Sequence, residues 1–223
     1  MEFKIKTGDL AELKTPCLIL GVFDKRKLSG PAEAADKASG CRLTAILKRG
    51  DLDGESGRSV LLYEVPGLAA ERVLLVGCGK RKDFTRTLYR QAVAGAVDLL
   101  QRTQAGEALC ALPELAPEDT GTYLAVRDAV TAAADRVYRY SQTKEDKQAP
   151  KTPLRRLTLW VSKKQDLEDA ERAARHGAAI AGGARLAKEL GNLPGNICTP
   201  SYLADQARDL EGRFDKLKVE VLE

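Results

Sequence analysis

The chain has 223 residues, enough to bury one large core or a domain and part of a second. Hydrophobic residues make up 43% and charged residues 30%, and no apolar run approaches the length needed to cross a bilayer, so a membrane span is excluded and the cytoplasm is the expected location. A net charge of +4, from 36 basic and 32 acidic side chains, is too balanced to mark a nucleic-acid protein by itself; five cysteines without a C-x-x-C pair read as reduced structural thiols.

In chain order, Phe3 and Ile5 alternate with charged neighbours and predict a half-buried first strand, and Cys17 to Val22 is a continuous apolar run suited to a central strand. Pro31 to Ala38 predicts a short helix and Leu43 to Leu47 another short element, followed by a polar, glycine-rich turn from Gly50 to Gly57. Ser59 to Val65 and Arg72 to Val76 read as strands joined through Pro66-Gly67. Asp83 or Thr85 caps a helix whose stripe is Leu88, Ala92, Val93, Ala96, Leu99 and Leu100. Ala108 to Leu112 is a short apolar strand, and Leu124 to Tyr138 carries a second amphipathic pattern. Residues 141–153 are the most loop-like stretch, and Leu154 to Val161 follows as a strand with the only tryptophan, Trp160.

From about Asp166 to Gly191 the apolar spacing predicts a long helix rich in alanine and glycine. Each glycine costs roughly 1 kcal/mol of helix propensity, so Gly177, Gly182 and Gly183 imply tight packing against a large neighbour. Thr199-Pro200 then supplies an N-cap and a proline at the first helical position of a new helix bearing Leu203, Ala204, Ala207 and Leu210 on one face. The tail, Lys216 to Glu223, alternates as a strand does, with no later element to complete its sheet. Strands alternating with helices imply an α/β fold, with helices on both faces of a largely parallel or mixed sheet. The organisation expected is an N-terminal α/β domain over 1–163, a connecting helix over 164–191, and the truncated beginning of a second domain over 192–223.

Chemistry-bearing constellations are sparse. The acidic pairs Asp51/Asp53, Glu118/Asp119, Glu145/Asp146 and Glu168/Asp169 fall in turns, caps or exposed helix starts, where solvation or a helix dipole accounts for them. The single histidine, His176, has Arg172, Ala173, Ala179 and Ile180 at its helical neighbour positions and so reads as a packing or surface residue. Gly77-Cys78-Gly79-Lys80 could cradle phosphate on backbone N–H groups, but it lacks the third glycine of a dinucleotide fingerprint and the spacing of a P-loop. Basic clusters at Lys25-Arg26-Lys27, Lys80-Arg81-Lys82, Lys151 with Arg155-Arg156, and Lys163-Lys164 would need to converge before DNA became a plausible partner.

One stretch carries a resemblance. Ala187-Lys188-Glu189-Leu190-Gly191-Asn192-Leu193-Pro194-Gly195-Asn196, followed by Thr199-Pro200 and Leu203-Ala204, resembles the approach to the catalytic domain in the leucyl (cytosol) aminopeptidase family. Met1-Glu2-Phe3, Gly21-Val22-Phe23, Leu47 to Leu52 and Val76 to Lys80 are similar to bacterial members. The resemblance implies a three-layer, macro-domain-like N-terminal domain. It also implies a complete protein that removes N-terminal residues from peptides with two divalent ions, manganese or zinc, and works as a hexamer. The family's N-T-D-A-E-G-R signature and the lysine segment before it have no match, so no catalytic, metal-binding or cofactor-binding residue is carried over and this chain alone is expected to be inactive and metal-free. Its expected work is scaffolding: docking its own catalytic domain and supporting a homo-oligomer. The alternatives are a freestanding macro-like module that binds ADP-ribose or a related nucleotide near Gly77 to Lys82, and a DNA-binding architectural role.

Overall fold

The run Leu18-Ile19-Leu20-Gly21-Val22-Phe23 has no polar position, so as a strand it must bury both faces, and the rest of the fold follows from that need. The computed structural model describes residues 1–143 and 153–222. In chain order the elements are β1 (Glu2–Lys6), β2 (Leu18–Phe23), β3 (Lys27–Leu28), α1 (Gly30–Ala38), α2 (Arg42–Lys48), β4 (Ser59–Tyr63), β5 (Arg72–Gly77), α3 (Arg86–Leu100), β6 (Glu107–Cys110), α4 (Gly121–Val137), β7 (Arg156–Trp160), α5 (Leu167–Asn192) and α6 (Pro200–Arg213). Residues 144–152 of the loop-like stretch lie outside the described residues.

The strands form one sheet in the order β1-β7-β6-β2-β5-β4, with β3 hooked back onto β2. All neighbours on the main path are parallel except β4, which runs antiparallel to β5 and is the last described strand on that side. Alternation along the strands splits the core in two. Ile19, Leu74, Val76, Cys110, Leu157 and Leu159 join the buried faces of α3, α4 and the start of α5. Leu18, Leu20, Val22, Val73, Leu75 and Leu109 join Ala32, Ala35, Leu43 and Leu47 of α1 and α2. The expected α/β architecture, helices on both faces of a mostly parallel, mixed sheet, is therefore observed.

Specific polar contacts fix the layers. The Tyr89 hydroxyl, fully buried in α3, donates to the Ala125 carbonyl of α4 at 2.7 Å, and Arg86 pairs with the buried Asp128 through both carboxylate oxygens. Arg136 reaches back from α4 to Asp98. At the amino end of the sheet, Arg156 of β7 lies in register between Glu2 of β1 and Glu107 of β6 and bonds both, at 2.7 and 2.8 Å. Opposite charges on adjacent strands thus tie β1 to the sheet.

Two compact units divide the described residues: 1–138 with 153–181, and 139–143 with 182–222. α5 contributes to both. In the first unit Gly177 packs tightly on α4, where an added Cβ would lie 2.9 Å from Val130 and 3.1 Å from the Arg127 carbonyl oxygen. In the second unit an added Cβ at Gly182, Gly183 or Gly191 would meet nothing within 4 Å, so the tight packing expected of all three helical glycines holds for Gly177 alone. Thr199 caps α6 as expected, its hydroxyl accepting from the Tyr202 N–H. The strand expected over Lys216 to Glu223 is absent from Lys216–Leu222: the α6 helix ends at Arg213, and no described strand lies alongside to share a ladder.

Candidate functional site

Parallel strands that reverse their winding direction open a crevice at their carboxyl ends, and here the reversal falls at β2, with β5 on one side and β6 on the other. The Gly77–Lys82 turn leaves β5 at this point. Its first three amides are already committed: Gly77 N–H donates to the Arg58 carbonyl, Cys78 N–H to that of Val22 and Gly79 N–H to that of Gly54, each at 2.8 Å. The loop that receives them is pressed into the crevice, since a Cβ at Gly54 would run into the Phe23 carbonyl and one at Gly77 into that of Glu55. Both glycines are required by close backbone approach. The N–H groups of Gly77, Cys78 and Gly79 are thus spent on the chain itself and are not open to a phosphate.

Beside the turn remains a cleft of about 370 Å³ lined by Phe23, Arg81, Phe84, Leu115, Pro117 and Asp119. Phe23 and Phe84 meet edge to face at 5.4 Å, and the Arg81 guanidinium sits 5.1 Å over the Phe23 ring. Three of the basic clusters come to this same end of the sheet, because Lys25–Lys27, Lys80–Lys82 and Lys163–Lys164 follow the parallel strands β2, β5 and β7. Asp24, Asp83, Glu118 and Asp119 are interleaved with them. The fourth cluster is dispersed: Arg156 is engaged at the opposite end by Glu2 and Glu107, and Lys151 lies outside the described residues.

The remaining candidates do not assemble. Asp51, Asp53, Glu118, Asp119, Glu168 and Asp169 are exposed; Asp53 accepts from the Glu55 amide and Asp169 pairs with Arg172, while Glu145 and Asp146 lie outside the described residues. His176 is exposed and, contrary to its bare helical neighbourhood in sequence, has a partner: its Nδ1 lies 2.7 Å from the hydroxyl of Tyr123 on α4. Arg127 and Arg172 flank the Tyr123 ring. Cys17, Cys78 and Cys110 are buried among apolar side chains, and burial pushes each thiol up to about 12. Burial thus disfavours the thiolate that nucleophilic attack requires. Among the described residues no three His, Cys, Asp or Glu side chains could hold a metal ion together.

Among the described residues no convergent set of reactive groups lines the crevice, and comparison with known proteins gives the chain its family. Residues 19–147 match the model of the cytosol aminopeptidase family, N-terminal domain. The chain belongs to the cytosol aminopeptidase family. Among relatives in this family, a probable cytosol aminopeptidase of Thioalkalivibrio sulfidiphilus is 44% identical over 223 residues, covering 100% of this chain and 45% of the relative. One from Idiomarina loihiensis is 42% identical, with 100% and 44% covered. The chain thus spans about 45% of the length of the curated relatives it matches. In structure it is similar to a tomato leucine aminopeptidase mutant, with TM-score 0.73, 21% identity, and 96% of this chain and 42% of that one covered. A bottromycin maturation enzyme in complex with Mn gives TM-score 0.63 at 22% identity, covering 89% and 36%. At such identities the two likenesses concern the fold. The resemblance seen in Asn192 to Asn196 and the N-terminal motifs is therefore that of true family membership.

Proposed function

We propose that this chain is the non-catalytic N-terminal domain and domain joint of a cytoplasmic, metal-dependent leucyl aminopeptidase that removes N-terminal residues from peptides. Residues 1–163 form the scaffold domain, 164–191 the connecting helix and 192–223 the beginning of the catalytic domain. The observation that carries this reading is the contrast in burial. No described residue of the second unit is buried, and Ile197, Leu203, Phe214 and Leu222 are exposed, as expected of a surface that the remainder of a longer relative would cover. The complete enzyme works as a homo-oligomer, a hexamer, with two manganese or zinc ions. The described residues offer no donor set that fits such ions, so the reading assigns both ions to the remainder of the complete enzyme.

The test is removal of residues 1–163 from the complete protein, followed by oligomer size, melting temperature and peptide selectivity. The reading expects a smaller assembly, a lower melting temperature or altered selectivity, and three unchanged measurements would sink it. Metal-dependent peptide hydrolysis by the 223-residue chain itself would contradict the assignment of catalysis elsewhere.

A second reading, DNA binding by the assembled protein, is favoured by the three basic clusters that share the carboxyl end of the sheet. It requires retardation of duplex DNA at low salt and a steep loss with added salt.

A further inference from the structure

The two outer strands of the sheet are built differently. β1 carries Glu2, Lys4 and Lys6, the charged pattern with which natural edge strands resist pairing. β4, at the other edge, reads Ser59-Val60-Leu61-Leu62-Tyr63, with no charge, proline or glycine. Its hydrogen-bond phase is fixed at both ends, because Gly77 N–H donates to the Arg58 carbonyl and Glu64 N–H to the Glu71 carbonyl. In an antiparallel ladder the bonded residues alternate, so Val60 and Leu62 also face β5. The N–H and C=O groups of Ser59, Leu61 and Tyr63 therefore point outward, and no described backbone group meets them.

We propose that β4 pairs with β4 of a second copy, antiparallel about a two-fold axis through Leu61, joining the two sheets into one. Leu61 then exchanges both hydrogen bonds with Leu61 of the second copy, and Ser59 does so with Tyr63, which matches every outward donor to an acceptor. The same register sets Arg58 opposite Glu64 of the second copy, twice by symmetry. Both are exposed, and among the described residues the Arg58 guanidinium makes a surface contact to Glu55 at 3.1 Å. Apolar positions also agree: Leu61 meets its own copy on one face, and Val60 meets Leu62 on the other. Space is present at the Ser59 end of the strand, where a cleft of about 830 Å³ opens towards α3, lined by Arg58, Ser59, Ala92, Gly95 and Leu99. The side chains of Ser59, Leu61 and Tyr63 of both copies share that side of the sheet. This contact deepens the homo-oligomer proposed above and rests on it, giving that assembly one named surface.

The test uses the 223-residue chain in sedimentation across a wide concentration range. A dimer is expected. Arg58→Glu or Glu64→Arg alone should weaken association about tenfold, because each replaces two attractions by two repulsions, and the double exchange R58E/E64R should restore it. Leu61→Pro should abolish it while leaving the parent sheet intact, since the Leu61 N–H takes no part in the ladder with β5. Hydrogen exchange at Ser59, Leu61 and Tyr63 should slow with rising protein concentration. A dimer indifferent to L61P and to the charge exchange would overturn edge pairing while leaving assembly by another surface intact. A monomer at every concentration would overturn both self-association of this chain and the pairing. Slow exchange at those amides independent of concentration would instead assign the edge to another segment of the same chain.

Discussion

Along α5, Ala170, Ala173, Ala174 and Gly177 are buried, whereas from Gly182 onward the same helix buries no residue. The residue types are alike in both halves. What separates them is the neighbour: in the first half α4 comes so close that a methyl group at Gly177 would strike Val130, and in the second half Gly182 and Gly183 face open space among the described residues. Small residues permit close packing; they do not by themselves create it. The same division runs through the molecule, with a densely filled first unit and a second unit lacking any buried described residue.

The largest effect should come from filling the tight half. Gly177→Leu should destabilise the first unit by about 3 kcal/mol, a fall of roughly 6–12 °C in melting temperature, because neither Val130 nor the Arg127 backbone can retreat without disturbing α4. A melting temperature unchanged within error would break the comparison. Next, Asp128→Ala should cost about 1–2 kcal/mol: the carboxylate is buried, but Arg86 is 44% exposed and solvent screens its loss. Urea unfolding would measure it.

In the loose half the sign reverses. Gly182→Ala and Gly183→Ala should each raise helix stability by about 0.5–1 kcal/mol, read as slower exchange of the surrounding amides. A loss of stability would show that this face is already covered. The contrast also extends to thiol chemistry. In the native state exposed Cys41 and half-exposed Cys198 should react with a disulfide reagent, while Cys17, Cys78 and Cys110, pushed to about 12 by burial, should react only on unfolding.

The smallest effect is at Glu2, whose bond to Arg156 holds its carboxyl below the ordinary glutamate range. A depressed carboxylate contributes stability that is complete above its unfolded value and is lost as pH falls through the folded value. Protection of the β1 amides should therefore decline just below the ordinary glutamate range, and Glu2→Gln should remove that dependence.

Much of this was legible in the chain because its signals are local. Apolar runs such as Leu18–Phe23 and the stripe from Leu88 to Leu100 need no partner to be read, and Thr85 and Thr199 announce the helices they cap. The family was legible from the Asn192–Asn196 turn and its flanks. What escaped was whatever depends on segments distant in sequence. Tyr123 meets His176 across 53 residues, and the amides of the Gly77–Gly79 turn are claimed by residues 22, 54 and 58. The two-residue β3 is too short for periodicity, and the alternating tail shows that a strand pattern without a neighbour yields no strand.

The pairing of β1 with β7 has a consequence in time. Glu2 emerges from the ribosome well before the arginine it binds, which lies 154 residues later, and among the described strands β1 has no other neighbour. At about 5–20 residues per second, the first strand waits roughly 8–30 seconds for its place. Its alternating charges keep the waiting segment soluble, so the residues that guard the finished edge also chaperone the nascent one.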